Sequence, residues 1–168
     1  MLSRMITIVM GVSGSGKSTI GEGLATRLGI PFVDGDSLHP EANRAKMAAG
    51  VPLDDADRQP WLEAIVAEMD RHREAGDSLV LACSALKRRY RDFLRSGHDD
   101  VRFVYLRAPR ELLAERLGHR SGHFFDSRLL DSQLATLEEP TEDEALRVDV
   151  ALPPAEAVAS IIRANCSA

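Results

Sequence analysis

An apolar run, Met5 to Met10, breaks into Gly11-Val12-Ser13-Gly14-Ser15-Gly16-Lys17-Ser18 and is followed by Ile20, Leu24 and Leu28 at four-residue spacing. The run reads as a buried strand, the spaced residues as one stripe of a helix, and Gly29 with Pro31 as its stop. The loop between them fits G-x-x-x-x-G-K-[ST], in which glycines let successive backbone N–H groups converge on phosphate oxygens at the positive end of the helix. In that pattern Lys17 reaches the β- and γ-phosphates and the Ser18 hydroxyl ligates Mg²⁺. A ligand-free turn would explain the glycines but not the Lys-Ser pair in register at the helix start. The candidate nucleotide contacts are Gly11, Ser13, Gly14, Ser15, Gly16, Lys17, Ser18 and Thr19.

The same alternation continues along the chain. Further strands are expected at Pro31 to Val33, Ser78 to Cys83, Arg102 to Leu106 and Arg147 to Val150. Amphipathic helices fall between them, one carrying Trp61, Leu62, Ile65, Val66 and Met69 with Asp57 as its cap and Pro60 in its first turn. Others are expected from Lys87 to Arg95, from Pro109 to Leu117, around Leu130, Leu134 and Leu137 as far as Pro140, and from Pro154 through Ile162. That order predicts an α/β fold with a parallel sheet covered on both faces. Residues 118–126 lack apolar periodicity and read as a mobile lid between two helices. With 168 residues, one domain over 1–168 is expected. The net charge of −5 disfavours bulk adsorption to nucleic acid or anionic membrane. The first apolar stretch is too short to span a bilayer and lacks secretory-signal flanks, so a cytoplasmic location is expected. Cys83 and Cys166 suggest neither a disulfide framework nor a metal cluster, and Cys83 reads as core filling.

The second expected strand runs into Asp34-Gly35-Asp36. This places two carboxylates at the C-terminal edge of the sheet, where ligands of open α/β folds bind. Phosphoryl transfer to an alcohol needs a carboxylate to orient the hydroxyl and take its proton, and Asp36 is assigned that role. Asp34 is read as support for metal or loop, with either Asp34 or Asp36 reaching Mg²⁺ through water. The third strand ends in Cys83-Ser84 rather than in an acid, which favours a small-molecule kinase over a motor or switch NTPase.

The chain resembles the gluconate kinases, a branch of the small P-loop kinases that also includes shikimate and adenylate kinases. The resemblance covers most of the chain. Its marks are the loop Gly11 to Ser18, Asp34 through Pro40 with Asn43 and Lys46-Met47, Gly50 through Asp55 with Asp57-Arg58, and Pro60-Trp61-Leu62. Further marks are Cys83-Ser84-Ala85-Leu86-Lys87, Tyr90-Arg91-Asp92, His123-Phe124-Phe125, Gln133, Leu137-Glu138 and Pro140. It implies a three-layer P-loop fold with five parallel strands in the order 2-3-1-4-5, and phosphorylation of the 6-hydroxyl of D-gluconate with ATP. A homodimer is also implied.

Gluconate carries a carboxylate and several hydroxyls, so its pocket should offer a cationic fork and hydrogen-bonding groups. Arg58 is the expected fork, with His39, Lys46, Ser84, Lys87, Arg91 and His123 as further substrate contacts. Shikimate kinases have a Gly-Gly-Gly stretch where this chain has Ser84-Ala85-Leu86. Arg116 and Arg120 bracket the entrance to the lid, spaced as in related kinases, Arg116 contacting the nucleotide and Arg120 both the nucleotide and the transferring group; His119 and His123 are read as lid or hinge groups. Rival readings are a kinase for shikimate, a nucleoside monophosphate or another sugar acid, and a regulatory module that binds nucleotide without acceptor-dependent turnover. A nucleic-acid-associated ATPase is disfavoured by the acidic balance.

Overall fold

The computed structural model describes residues 4–118 and 127–166. Its strands are β1 (Ile6–Met10), β2 (Phe32–Asp34), β3 (Leu79–Ala82), β4 (Val101–Arg107) and β5 (Ala145–Asp149). They form one parallel sheet in the order β2-β3-β1-β4-β5, with Ile6 opposite both Leu79 and Val101, and Phe103 opposite Ala145. The helices are α1 (Lys17–Leu28), α2 (Glu41–Ala48), α3 (Asp55–Ala75), α4 (Arg88–Arg95), α5 (Arg110–Gly118), α6 (Ser127–Thr136) and α7 (Pro154–Cys166). A 3-10 turn, Gly35–Leu38, follows β2 directly.

Alternation along the strands divides the core. Ile6, Ile8, Met10, Leu79, Leu81 and Phe103 pack with Trp61, Leu62, Ile65 and Met69 of α3 and with Tyr90 and Leu94 of α4. On the other face Val9, Val80, Val104 and Val148 meet Ile20 and Leu24 of α1 and Val158 and Ile161 of α7. A third cluster joins Val12 and Leu86 to Leu113, Leu117 and Leu130, and so seats α5 and α6 over the C-terminal end of the sheet. Side chains that point alternately up and down require cover on both sides, which is why central strands here are almost uniformly apolar.

Two local expectations change. Asp54, not Asp57, caps α3: its carboxylate accepts the Asp57 N–H, and Asp57 answers as the third helical residue, closing a reciprocal capping box. Pro60 therefore lies in the second turn. The helix containing Leu130 and Leu134 ends at Thr136, short of Pro140. Of the expected lid over 118–126, Gly118 ends α5, and 119–126, with His119, Arg120 and His123, lie outside the described residues. Cys83 is fully buried, and burial pushes its thiol up to about 12, in keeping with a core role.

Candidate active site

The loop after β1 is shaped as much by what lies above it as by its own sequence. Gly14 has φ +85°, and a Cβ there would stand 2.9 Å from Leu117 Cγ and 3.1 Å from the Leu113 carbonyl oxygen of α5. Both backbone angle and space demand glycine. The Ser15 N–H and Lys17 Nζ each donate to the Val12 carbonyl at 3.2 Å, so the lysine lies back along the loop. Ser15 Oγ is buried without a hydrogen-bond partner among the described residues. A buried hydroxyl left unpaired in a glycine-rich loop that leads into a helix N-terminus suits an oxygen-rich anion.

Asp34 ties this loop to the next βα unit. Its Oδ2 accepts the Ser18 hydroxyl at 3.2 Å, and its Oδ1 accepts the Asp36 N–H at 3.0 Å. Gly35 lies hard against β3: a Cβ would come within 2.4 Å of the Ala82 carbonyl oxygen. From the other side Trp61 Nε1–H donates to the Gly35 carbonyl at 2.8 Å. The turn that carries Asp36 is therefore fixed from two directions. The adjoining Ser18 hydroxyl and Asp34 carboxylate are hard oxygen donors, the chemistry that Mg²⁺ prefers.

Lys17 and Asp36 open on one cavity of about 140 Å³, shared with Ser13, His39, Arg58 and Ser84. All six were sequence candidates. Trp61, Ser132 and Gln133 also line it, with Met47, Pro52, Leu53, Leu86 and Leu129 as apolar wall. Sequence reasoning gave Trp61 only a core role and Gln133 none. The signal for Gln133 was available in the Leu130, Leu134, Leu137 stripe, which leaves residues 129, 132 and 133 on the flank of α6 that turns toward the loop. Its Oε1 accepts the Ser13 N–H at 2.7 Å.

His39 stacks on the Trp61 indole, with ring centroids 4.2 Å apart. Asn43 Nδ2 donates to the Asp57 carbonyl at 2.8 Å and lies 3.1 Å from His39 Nδ1. An amide nitrogen can only donate, so Nδ1 accepts and Nε2 carries the ring proton. Burial, helped by the Arg58 and Arg44 charges and opposed by Asp36, lowers the His39 pKa and favours this neutral form. Arg58 is largely buried on α3; its Nη1 donates to the Tyr90 hydroxyl at 3.0 Å, and that hydroxyl donates to Asp55. Asp55 also pairs with Lys87 and Arg89, and these contacts, led by Tyr90, hold its carboxyl far below the ordinary range.

Three expected substrate contacts are used otherwise. Lys46 pairs with Asp57 at 2.7 Å and Lys87 with Asp55 at 3.0 Å, and neither lines the cavity. Arg91 is 1% exposed and is bonded to Glu144 and to three backbone carbonyls. A helix start following a strand does face the ligand edge, but these cations find carboxylates and carbonyls first. On the other side of the loop, Thr19 and Arg116 line a second depression with Gly14, Gly16, Val150 and Pro154, where Arg116 donates to the Val150 carbonyl.

Comparison with known proteins places these features in one lineage. Residues 13–162 match the shikimate kinase family model. A gluconokinase of Gluconobacter oxydans (strain 621H) is 53% identical over 82% of this chain and 77% of its own length. The thermoresistant gluconokinase of Escherichia coli (strain K12) is 44% identical over 94% of this chain and 91% of the relative. The crystal structure of a gluconokinase from Sinorhizobium meliloti 1021 superposes with a TM-score of 0.84 at 47% identity, covering 96% of this chain and 94% of that one. With the sheet order 2-3-1-4-5 and the loop at its first turn, the chain belongs to the shikimate kinase family and, within it, to the gluconokinases.

Proposed function

We propose that this protein is a gluconokinase, transferring the γ-phosphoryl group of ATP to the 6-hydroxyl of D-gluconate to give 6-phospho-D-gluconate and ADP. The observation that carries the reading is the single cavity onto which Lys17, Asp36 and Arg58 all open. It juxtaposes a phosphate-loop cation, a carboxylate at the sheet edge and a guanidinium suited to a carboxylate ligand.

Asp36 orients the 6-hydroxyl and receives its proton as the oxygen–phosphorus bond forms. The bond between phosphorus and the β,γ-bridging oxygen breaks, and ADP departs with that electron pair. Lys17 and the loop N–H groups hold the phosphates, and the Ser15 hydroxyl gains a partner that it lacks among the described residues. Ser18 and Asp34 would hold Mg²⁺, which offsets phosphate charge when bound. Arg58 binds the carboxylate of gluconate, and the Nε2–H of His39 donates to a hydroxyl. Arg116 and Thr19 serve the nucleoside side, Arg120 the transferring group and His123 the acceptor. Catalysis of this kind rests mainly on positioning and preorganised charge. The reading carries with it a cytoplasmic location and a homodimer, and light scattering on the purified protein tests the dimer separately.

The deciding experiment is a coupled ADP-release assay over gluconate, other sugar acids, shikimate and nucleoside monophosphates. Gluconate is expected to give the highest kcat/KM. ATP binding with no acceptor-dependent ADP release would instead favour a regulatory module.

A further inference from the structure

The wall segment Ser84–Leu86 contains a backbone anomaly. Ala85 is fully buried with φ +46°, a left-handed conformation that non-glycine residues seldom adopt and that persists when surrounding contacts over-determine it. Its neighbours Ser84 and Leu86 both line the acceptor cavity. Their placement therefore depends on whatever keeps Ala85 in that state.

Arg91 supplies the restraint. Its Nη1 donates to the Ala85 carbonyl at 2.8 Å and to the Leu86 carbonyl at 3.2 Å. Nη2 donates to the Glu138 carbonyl at 2.8 Å and to Glu144 Oε2 at 3.4 Å, and Nε donates to Glu144 Oε1 at 2.5 Å. The five N–H groups of a guanidinium are thereby all engaged, and none is left for a substrate. Glu138, just beyond α6, completes the fastening: its N–H donates to the Leu86 carbonyl and its Oε1 accepts the Arg88 N–H, both at 2.8 Å. The wall and the end of α6 are thus joined around one buried cation.

We propose that Arg91 is a positioning residue for acceptor recognition, holding Ser84–Leu86 in its left-handed turn against the end of α6 so that the cavity keeps the shape its sugar-acid acceptor requires. This rests on reading that cavity as the acceptor site. Without the guanidinium fork Ala85 relaxes toward ordinary backbone angles, and Ser84 and Leu86 turn away from their present places. Lysine preserves the charge but not the planar fork, so Arg91→Lys isolates the geometry.

The test compares the wild type with R91K, E144Q, A85G and R91K/A85G in steady-state kinetics, thermal melting and amide hydrogen exchange. R91K is expected to raise the gluconate KM about tenfold or more, the scale of one charge-assisted bond, with the ATP KM within about twofold. Exchange should quicken at the Arg88 and Glu138 amides. Glycine accepts a positive φ readily, so the KM penalty of R91K should be smaller in the A85G background than beside Ala85. If R91K does not fold, E144Q decides, with a several-fold rise in gluconate KM expected. A lowered melting temperature with the gluconate KM unchanged, or an equal R91K penalty in both backgrounds, would overturn the proposal. A wild type that releases no ADP with gluconate would remove the acceptor reading beneath it, an outcome distinct from failure of the variants alone.

Discussion

The phosphate loop and the acceptor cavity meet at Lys17, yet they are built by different means. The loop is eight consecutive residues whose proposed function lies in backbone N–H groups, so its requirements fall on adjacent letters. The cavity takes Asp36 from the turn after β2, Arg58 and Trp61 from α3, Ser84 and Leu86 from the β3–α4 connection, and Gln133 from α6. Backbone recognition is local and concentrates into a motif. The proposed side-chain recognition of a polyol is dispersed, and Arg58, Trp61 and Gln133 are each also held by a hydrogen bond to the scaffold.

Substitutions test that contrast, and the loop should yield the largest effects. Lys17→Ala is expected to lower kcat/KM on the order of 10³-fold or more, because a preorganised charge on the phosphates disappears. Rapid-quench measurement of phosphoryl transfer would show it, and near-normal transfer would dissolve the distinction. At the junction, Asp36→Asn should lower kcat by roughly 10²-fold with little change in nucleotide affinity; single-turnover kinetics with a nucleotide titration separates the two. In the dispersed region Arg58→Ala should act chiefly on the gluconate KM, raising it about tenfold to a hundredfold, the scale of one charge-assisted bond. An equal rise in the ATP KM would show that the two regions are not separable in this way.

Two smaller effects concern the scaffold. Gly35→Ala should destabilise the fold by about 1–3 kcal/mol, since its Cβ must displace either the Ala82 backbone or the Asp36 turn; denaturant titration reads this directly. Finally, the lowered His39 pKa makes stability pH-dependent. The unfolded imidazole takes its proton near pH 6.5 while the folded one resists, so stability is complete above about pH 6.5 and declines as pH falls toward the folded value. Melting curves of His39→Gln should show a flatter acid limb; an unchanged limb would assign the pH dependence to other groups.

The parallel sheet and most of its flanking helices were legible because the central strands are near-continuous apolar runs and those helices carry a stripe; α2, whose one buried residue is Asn43, carries none. The phosphate loop was legible for the reason already given. Asp36, His39, Arg58 and Ser84 were reachable because they follow strand ends or accompany a recognisable pattern. For Lys46, Lys87 and Arg91 sequence places a charge at the ligand edge without revealing the carboxylate it pairs with: Asp57, Asp55 and Glu144 lie eleven, thirty-two and fifty-three residues away. Trp61 was hidden by its own hydrophobicity, since a residue that fills the core with one face can still bound a cavity with an edge.

Asp34 bridges the two halves with one carboxylate, an oxygen on Ser18 and an oxygen on the Asp36 amide. On the proposed roles, Asp34 would link the nucleotide cradle to the proton acceptor without any intervening element. Should ATP tighten the hold on gluconate through this link, thermodynamic reciprocity requires gluconate to tighten the hold on ATP by the same factor. Order of addition could then alter how quickly the ternary complex assembles, but not its final stability.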